Sequence, residues 1–396
     1  MDVIQSFSSL GTSRITCIDM HTSGEPTRIV ISGYPVLTGD TLLEKRAQAQ
    51  SRFDEIRTQI ILEPRGHFDM YGALLIPDTE LIQAGQADIG VLFMTNDGYS
   101  TMCGHATIAL GRFLIDTHDI TLFPRRDCLK FDPATNTCMF RLHVPCGVVQ
   151  VTVPTTADGK SSDASRAVSF VSVDSFATGL HINVAIPERL AWSQLNNRRS
   201  VQCDFAYGGA FYCLVQAKNL GFAHGLHEAD LGELDRATRM LKAAVNGSDQ
   251  LAYLFQHPQE QDLSFLYSII VVDDEVEAET NAHSRSETGV CFFSDQQLDR
   301  SPTGSGVSAR LAVAYARGNL RMGESRTYHS LLSRSLAPQL GFVGTVVGES
   351  KRQDLSYPVV TTKVEGFAYY TGYHTFVVEA EDRLGARGFS MSQLGK

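Results

Sequence analysis

The 396-residue sequence predicts an α/β (α+β) protein built in two related halves, and three observations carry that expectation. A turn-rich stretch, Asp97-Gly98-Tyr99-Ser100-Thr101-Met102, delivers Cys103 and Gly104 to an apolar run, residues 106–115, that reads as a helix. About two hundred residues later Asp299-Arg300-Ser301-Pro302 delivers Thr303 and Gly304 to a second small-residue helix at 307–315. Each stretch follows a short apolar strand, residues 87–94 in the first case and 290–293 in the second. This strand–loop–glycine–helix correspondence is the internal repeat that the pattern supports.

The other elements read off in order. Residues 15–20 and 27–31 flank a turn at His21-Thr22-Ser23-Gly24-Glu25-Pro26 and predict a hairpin. Residues 42–56 are charged with spaced apolar positions and predict one helix. Pro64-Arg65-Gly66-His67 reads as a turn that leaves His67 and Asp69 at the surface. Residues 140–144, a turn at Pro145-Cys146-Gly147, and alternating Val149, Val151 and Val153 predict strands with a half-buried face. Residues 155–166 are polar and fit an interdomain linker or an exposed loop. Strands resume at 168–173 and again before Asp204, and the pair Gly208-Gly209 lets the backbone approach a ligand or another strand. Residues 230–245 form a helix with Asp230 as N-cap, Glu233 three residues on, and Asn246-Gly247 at its end. Residues 265–272 read as a strand, 275–288 as an acidic loop, and 359–380 as strands broken by Gly366 and Gly372.

The two glycine loops carry the chemistry. The first turn of a helix has unpaired backbone N–H groups, and the helix dipole favours negative charge there. A carboxylate docks on such groups. A cysteine at the same place has its thiolate stabilised, which predicts a pKa for Cys103 below the ordinary value of about 8.5. Two such helix starts, one per half, would face each other across a single small substrate.

Composition removes several classes of function. With 34 Lys and Arg against 44 Asp and Glu, the formal charge of −10 argues against nucleic-acid or anionic-membrane partners. No long apolar run suggests a membrane span, and residues 1–7 lack the basic and apolar regions of a secretory signal. Eight scattered cysteines without a CxxC pair suit reduced thiols in a cytoplasmic protein. Cys128, Cys138, Cys146 and His143 do not match a zinc spacing, so no metal is expected.

Five segments together resemble the proline racemase family. They are Asp19-Met20-His21-Thr22-Ser23-Gly24-Glu25-Pro26-Thr27-Arg28, Glu63-Pro64-Arg65-Gly66-His67, Met102-Cys103-Gly104-His105 after Gly98-Tyr99, Tyr207-Gly208-Gly209-Ala210-Phe211-Tyr212, and Asp299-Arg300-Ser301-Pro302-Thr303-Gly304-Ser305-Gly306. They follow the family's order and span almost the whole chain. The resemblance implies a diaminopimelate epimerase-like fold with two pseudo-symmetric domains, each a strand barrel around a central helix, and an active site in the cleft between them. It places residues 1–163 with 371–396 in one domain and 164–370 in the other, and it implies a homodimer that needs no cofactor.

Racemases and epimerases of this family have a second cysteine where this chain has Thr303, and Asn where it has Ala210. The threonine form resembles the family's dehydratase branch, which implies loss of water from trans-3-hydroxy-L-proline. Carried over by position, Cys103 is the base and Thr303 faces the opposite side of the ring. The N–H groups of Gly104, His105, Gly304 and Ser305 clamp the substrate carboxylate, while Asp299 and the His105 side chain hold the ring ammonium. Two rival readings stay open: a proline or 4-hydroxyproline racemase or epimerase, and a non-catalytic hydroxyproline-binding protein. A nucleotide-binding oxidoreductase suggested by Gly304-Ser305-Gly306 lacks the third glycine and the acidic residue of that fingerprint.

Overall fold

Both helices expected after the glycine loops form, and each is buried almost end to end. The first central helix, Gly104–Asp116, is buried from Gly104 to Ile115, and the second, Gly304–Ala316, from Gly304 to Ala314. A helix that is apolar on every side is stable only when other elements surround it. Here strands do so, giving a mixed α/β fold. The computed structural model describes residues 13–275, 286–353, 355–379 and 381–391.

Strands of the first half are β1 (Ser13–Thr22), β2 (Glu25–Ser32), β3 (Gly72–Ile76), β4 (Ile89–Met94), the short β5 (Tyr99–Ser100) and β6 (Lys130–Asp132), β7 (Thr137–Val144), β8 (Gly147–Pro154) and β9 (Val168–Val171). The second half contributes β10 (Ser175–Ala185), β11 (Ser200–Tyr207), β12 (Phe211–Gln216), β13 (Leu266–Glu275), β14 (Ser286–Phe293), the short β15 (Gln297–Leu298), β16 (Ser325–His329), β17 (Phe342–Ser350) and β18 (Val359–Gly366). The last strand, β19 (Ala368–Val378), returns to pair with β1. Pairing runs β10–β11–β12–β13–β14–β16–β17–β18 and comes back from β18 to β10, which closes a ring around the second helix. Around the first helix the order is β19–β1–β2–β3–β4–β7–β8–β9. Among the described residues no ladder joins β9 to β19. Instead β9 pairs with β18, which runs through Phe367 into β19.

Four sequence expectations change. Residues 42–56 do not form one helix. Leu42–Arg52 stops at Phe53 and Asp54–Ile61 begins anew, its first turn held by Asp54 accepting from Arg57 Nε at 2.6 Å and Nη2 at 2.7 Å. Strand β10 was not expected; its register shifts between Ala177 and Ile182, and His181 has φ 56°, so the period-two pattern is lost. The acidic loop is shorter than expected, because Glu275 and Ser286 pair directly across β13 and β14. Residues 276–285 of that stretch lie outside the described residues. In the tail, the break falls at Phe367, while Gly372 stays within β19 beside a bulge where Asp19 pairs Gly372 and Met20 pairs Tyr370.

Three contacts fix the helix starts. At the entry hairpin, Asp19 and Arg28 face each other across β1 and β2 and form a buried ion pair at 2.8 Å. The Arg28 guanidinium also donates to the Ile60 carbonyl at 2.6 Å, so both charges have partners. Gly208 packs on the second helix rather than on a strand or ligand: a Cβ there would lie 2.2 Å from the Ser305 carbonyl oxygen. Most directly, the two helices touch at Gly104 and Gly304, where a Cβ on Gly104 would lie 2.5 Å from the Gly304 Cα.

Neither backbone can yield easily, so Gly104→Ala is expected to lower stability by about 1–3 kcal/mol, the usual effect of overpacking. Urea denaturation monitored by Trp192 fluorescence measures it; an unchanged midpoint would mean that the helix starts separate freely.

Candidate active site

A narrow cavity lies where the two helices meet. Cys103, Gly104 and His105 form one wall and Asp299, Thr303, Gly304 and Ser305 the other. The structure thus brings all seven residues singled out in the sequence into one cleft. The ladder of the first helix begins with Thr107 N–H donating to the Cys103 carbonyl at 3.1 Å, and that of the second with Val307 N–H donating to Thr303 at 2.7 Å. The N–H groups of Gly104, His105, Gly304 and Ser305 precede both ladders and sit at the positive ends of two dipoles. Together they make a carboxylate-binding surface.

The two N-cap residues behave differently. Cys103 has extended backbone, φ −148°, and its Sγ accepts from Ala106 N–H at 3.3 Å, so the sulfur caps its own helix. Thr303 is held in the left-handed region, φ 63°, a costly conformation for a β-branched residue. Its hydroxyl does not cap the helix. It donates to Asp299 Oδ2 at 2.8 Å, while Asp299 Oδ1 accepts from Ser301 N–H at 2.7 Å. One helix start therefore offers a thiol to the cleft, and the other has its hydroxyl committed to a carboxylate.

Burial sets the charges. Cys103 is 4 % exposed. Burial pushes its thiol well above the ordinary range, against the stabilising Tyr71 hydroxyl and Ala106 N–H, and the negative charges of Asp299 and Glu25 push the same way. The expected lowering by the helix dipole is thus overturned in the empty cleft. The Cys103 Sγ lies 3.2 Å from His105 Nδ1, but the pair is not ionised. Burial lowers the His105 imidazole to about 3, opposed only by its hydrogen bond to the Pro26 carbonyl, so the ring is neutral and keeps one nitrogen as an acceptor. The Asp299 carboxyl is raised to about 6 by burial, with the hydrogen bonds from Thr303 and Ser301 opposing.

The remaining walls are Tyr71, Met102, Tyr212, Tyr267 and Phe293. Sequence reasoning missed these as site residues, because aromatics in strand-like runs read as core. Tyr71 packs edge-on to the His105 ring at 4.6 Å and its hydroxyl lies 2.5 Å from Ser100 Oγ. Tyr212 shares a 2.7 Å hydrogen bond with Ser305 Oγ, which leaves the Ser305 N–H as its contribution to the cleft. Cys291 is core, as expected of the other thiols, but it sits close behind: burial raises it to about 12, and Ser268 Oγ lies 2.9 Å from its sulfur. Ala210 is buried in the turn after β11 and does not line the cleft.

The turns at the front of the chain hold the site rather than line it. Thr22 Oγ1 donates to the His105 carbonyl at 2.9 Å, and Glu25 Oε2 accepts from Arg300 N–H at 2.7 Å. Glu25 is fully buried, its Oε1 has no partner, and burial followed by the charge of Asp299 drives its carboxyl well above the carboxylate range. Asp69, expected at the surface, accepts from Leu298 N–H at 3.1 Å and from Arg300 Nη2 at 3.1 Å. His21 Nδ1 accepts from Gly24 N–H at 3.2 Å and supports the hairpin turn. Gly306, one of the glycines that suggested a nucleotide, has a packing reason: a Cβ would lie 2.5 Å from Ile270 Cδ1.

Comparison with known proteins places the chain among relatives. The family profile described as Proline racemase matches residues 17–390. A trans-L-3-hydroxyproline dehydratase of Bos taurus is 37% identical over 374 residues, covering 94% of each chain. Proline racemase A of Trypanosoma cruzi is 34% identical over 388 residues, covering 96% of this chain and 82% of the relative. Among solved structures, a hydroxyproline epimerase from Agrobacterium vitis, with trans-4-hydroxy-L-proline bound, has a TM-score of 0.75 at 22% identity and covers 97% of each chain.

Two outcomes follow from the charges. Iodoacetamide at neutral pH should modify exposed Cys128 at least about tenfold faster than Cys103, as read by peptide mass spectrometry. Faster labelling of Cys103 would mean that the dipole outweighs burial. For Asp299, a folded pKa above the unfolded one means that the native state binds the extra proton. Stability attributable to this group is then present below about pH 4 and is lost as pH rises through about 6. Urea titrations should show Asp299→Asn gaining on the wild type by on the order of 1–3 kcal/mol between those limits; parallel pH profiles would contradict it.

Proposed function

Because the chain belongs to the proline racemase family, we propose that it dehydrates trans-3-hydroxy-L-proline to Δ1-pyrroline-2-carboxylate without a cofactor, using Cys103 as the base. The observation that carries this reading is the asymmetry of the two N-caps: one sulfur faces the cleft, and opposite it the Thr303 hydroxyl is bonded to Asp299. Racemisation needs a base on one face of the α-carbon and an acid on the other. An unactivated threonine hydroxyl is far too weak an acid for the second role.

Dehydration needs one face only. In trans-3-hydroxy-L-proline the 3-hydroxyl is opposite the carboxylate, so it lies on the same side as the α-hydrogen. The substrate carboxylate docks on the N–H groups of both helix starts, which also stabilise the negative charge that develops as the α-proton leaves. The ring ammonium is held between Asp299 and the unprotonated nitrogen of His105. Its positive charge offsets Asp299, one of the groups that raise the Cys103 thiol. A substrate that enters with its ring nitrogen unprotonated takes the Cys103 proton and becomes the ammonium, leaving a thiolate; the thiolate takes the α-proton, the C3–O bond breaks, and C2=C3 forms. The proton on sulfur passes to the departing hydroxide to give water. The enamine then tautomerises to the Δ1 imine. In this reading the halves are two domains that close on the ring, with the first crossing after β9 near residue 172 rather than at 163 and the return at Phe367 rather than at 371, and the assembly is a homodimer.

The test is to incubate the purified protein with trans-3-hydroxy-L-proline, and separately with L-proline in D2O. The imine is trapped with o-aminobenzaldehyde. Dehydration that drops by about 10²–10⁴ in Cys103→Ser, with no D-proline from L-proline, is the expected outcome. D-proline without dehydration would establish the racemase reading instead. Binding of hydroxyproline with neither reaction would leave a non-catalytic binding protein.

A further inference from the structure

Apart from the cleft, the second central helix borders another cavity, of about 60 Å³, at its far end. It lies between the helix and the strands of the closed ring. Arg310, Arg317 and Arg326 line it, with Asp204 and Glu287 as the acidic members. Arg310 is 4 % exposed and Arg326 8 %, so two of the three guanidiniums are more than nine-tenths buried.

These groups do not satisfy one another. Arg310 Nε donates to Glu287, and Arg326 Nη1 lies 3.7 Å from the same carboxylate. Arg317 Nη2 donates to Asp204 at 2.5 Å. Three positive charges thus share two negative ones. Among the described residues, Arg310 Nη1, Arg317 Nε and Arg326 Nε are each buried without a hydrogen-bond partner. Leaving a charged donor buried and unpaired is costly, and the three arginines that carry these donors line the same cavity. A small oxyanion supplies what is missing: acceptor lone pairs and the negative charge that balances the excess. The guanidinium fork matches oxyanion geometry. The helix C-terminus opposes an anion by roughly half a charge, which is less than the one full positive charge left over among the lining groups.

We propose that this cavity is a binding site for a small oxyanion of the phosphate type, held by Arg310, Arg317 and Arg326. Its helix residues, Arg310 to Arg317, lie about 9–20 Å along one helix from the N–H groups at Gly304, so its occupant is not the substrate of the cleft.

The probe is inorganic phosphate, titrated against the full-length protein at constant ionic strength with chloride as the balancing ion. Thermal unfolding and equilibrium dialysis are both read. The expected result is a phosphate-dependent rise in Tm, with affinity at least about tenfold weaker in Arg326→Met. Arg310 stays in place to pair with Glu287 in that variant. Arg317→Met, at a more exposed position, is the second variant and should show the same loss. The cleft also binds anions, so a rise that persists undiminished in both variants assigns the phosphate there and overturns the proposal. No phosphate-specific rise in the wild type, with dialysis showing no bound phosphate, overturns it as well.

Discussion

The contact on which the site depends is the meeting of two glycines. Gly104 and Gly304 bring two helix N-termini to backbone contact, which any side chain would prevent. Everything else in the cleft follows from that approach. The N–H groups of Gly104, His105, Gly304 and Ser305, two from each helix start, are concentrated around one point, where a carboxylate could be held without a charged side chain. The enclosing strands, the buried Asp19–Arg28 pair and the Glu25–Arg300 hydrogen bond hold the two ends against each other.

Concentrating polar groups in so dry a place has a cost that decides the chemistry. The same burial that strengthens the helix dipoles raises Cys103 and Asp299 and keeps His105 neutral. An isolated view of the helix start predicts a reactive thiolate. The folded protein instead stores the proton on sulfur until charge arrives in the cleft. Desolvation outweighs the dipole here because Cys103 is enclosed by other residues rather than by water, and because two carboxyl groups stand nearby.

Much of this was legible in the sequence, for physical reasons that can be named. The glycine loops were visible because helix starts demand particular residues, and the site residues were visible because they cluster at those starts. Asp19 and Arg28 belonged to one motif, and the hairpin register explains why. What stayed hidden depends on the chain coming together. Tyr71 and Tyr212 reach the cleft only after strands far apart in sequence are wrapped round the helices. Strand β10 was missed because a left-handed His181 interrupts its alternation. The Thr303–Asp299 hydrogen bond, which makes the two halves unequal, arises from a backbone angle that no spacing rule reveals.

The connection through Phe367 has a mechanical meaning. β18 pairs with β10 of the closed ring at one end and with β9 at the other, and then continues into β19. The chain also crosses between the halves just after β9, beside it. Two adjacent, hydrogen-bonded spans act as a flexure: they bend far more easily than they slide. Residues lining the cleft are closed to solvent, Asp299 at 6 % and Thr303 at 7 %, so a molecule would reach them only if the walls parted. The latch on the other side is the set of polar contacts from Asn96 to Gln297, Thr95 to Ser294 and Glu25 to Arg300. Those contacts and the span through Phe367 tie the halves together on opposite sides of the glycine contact.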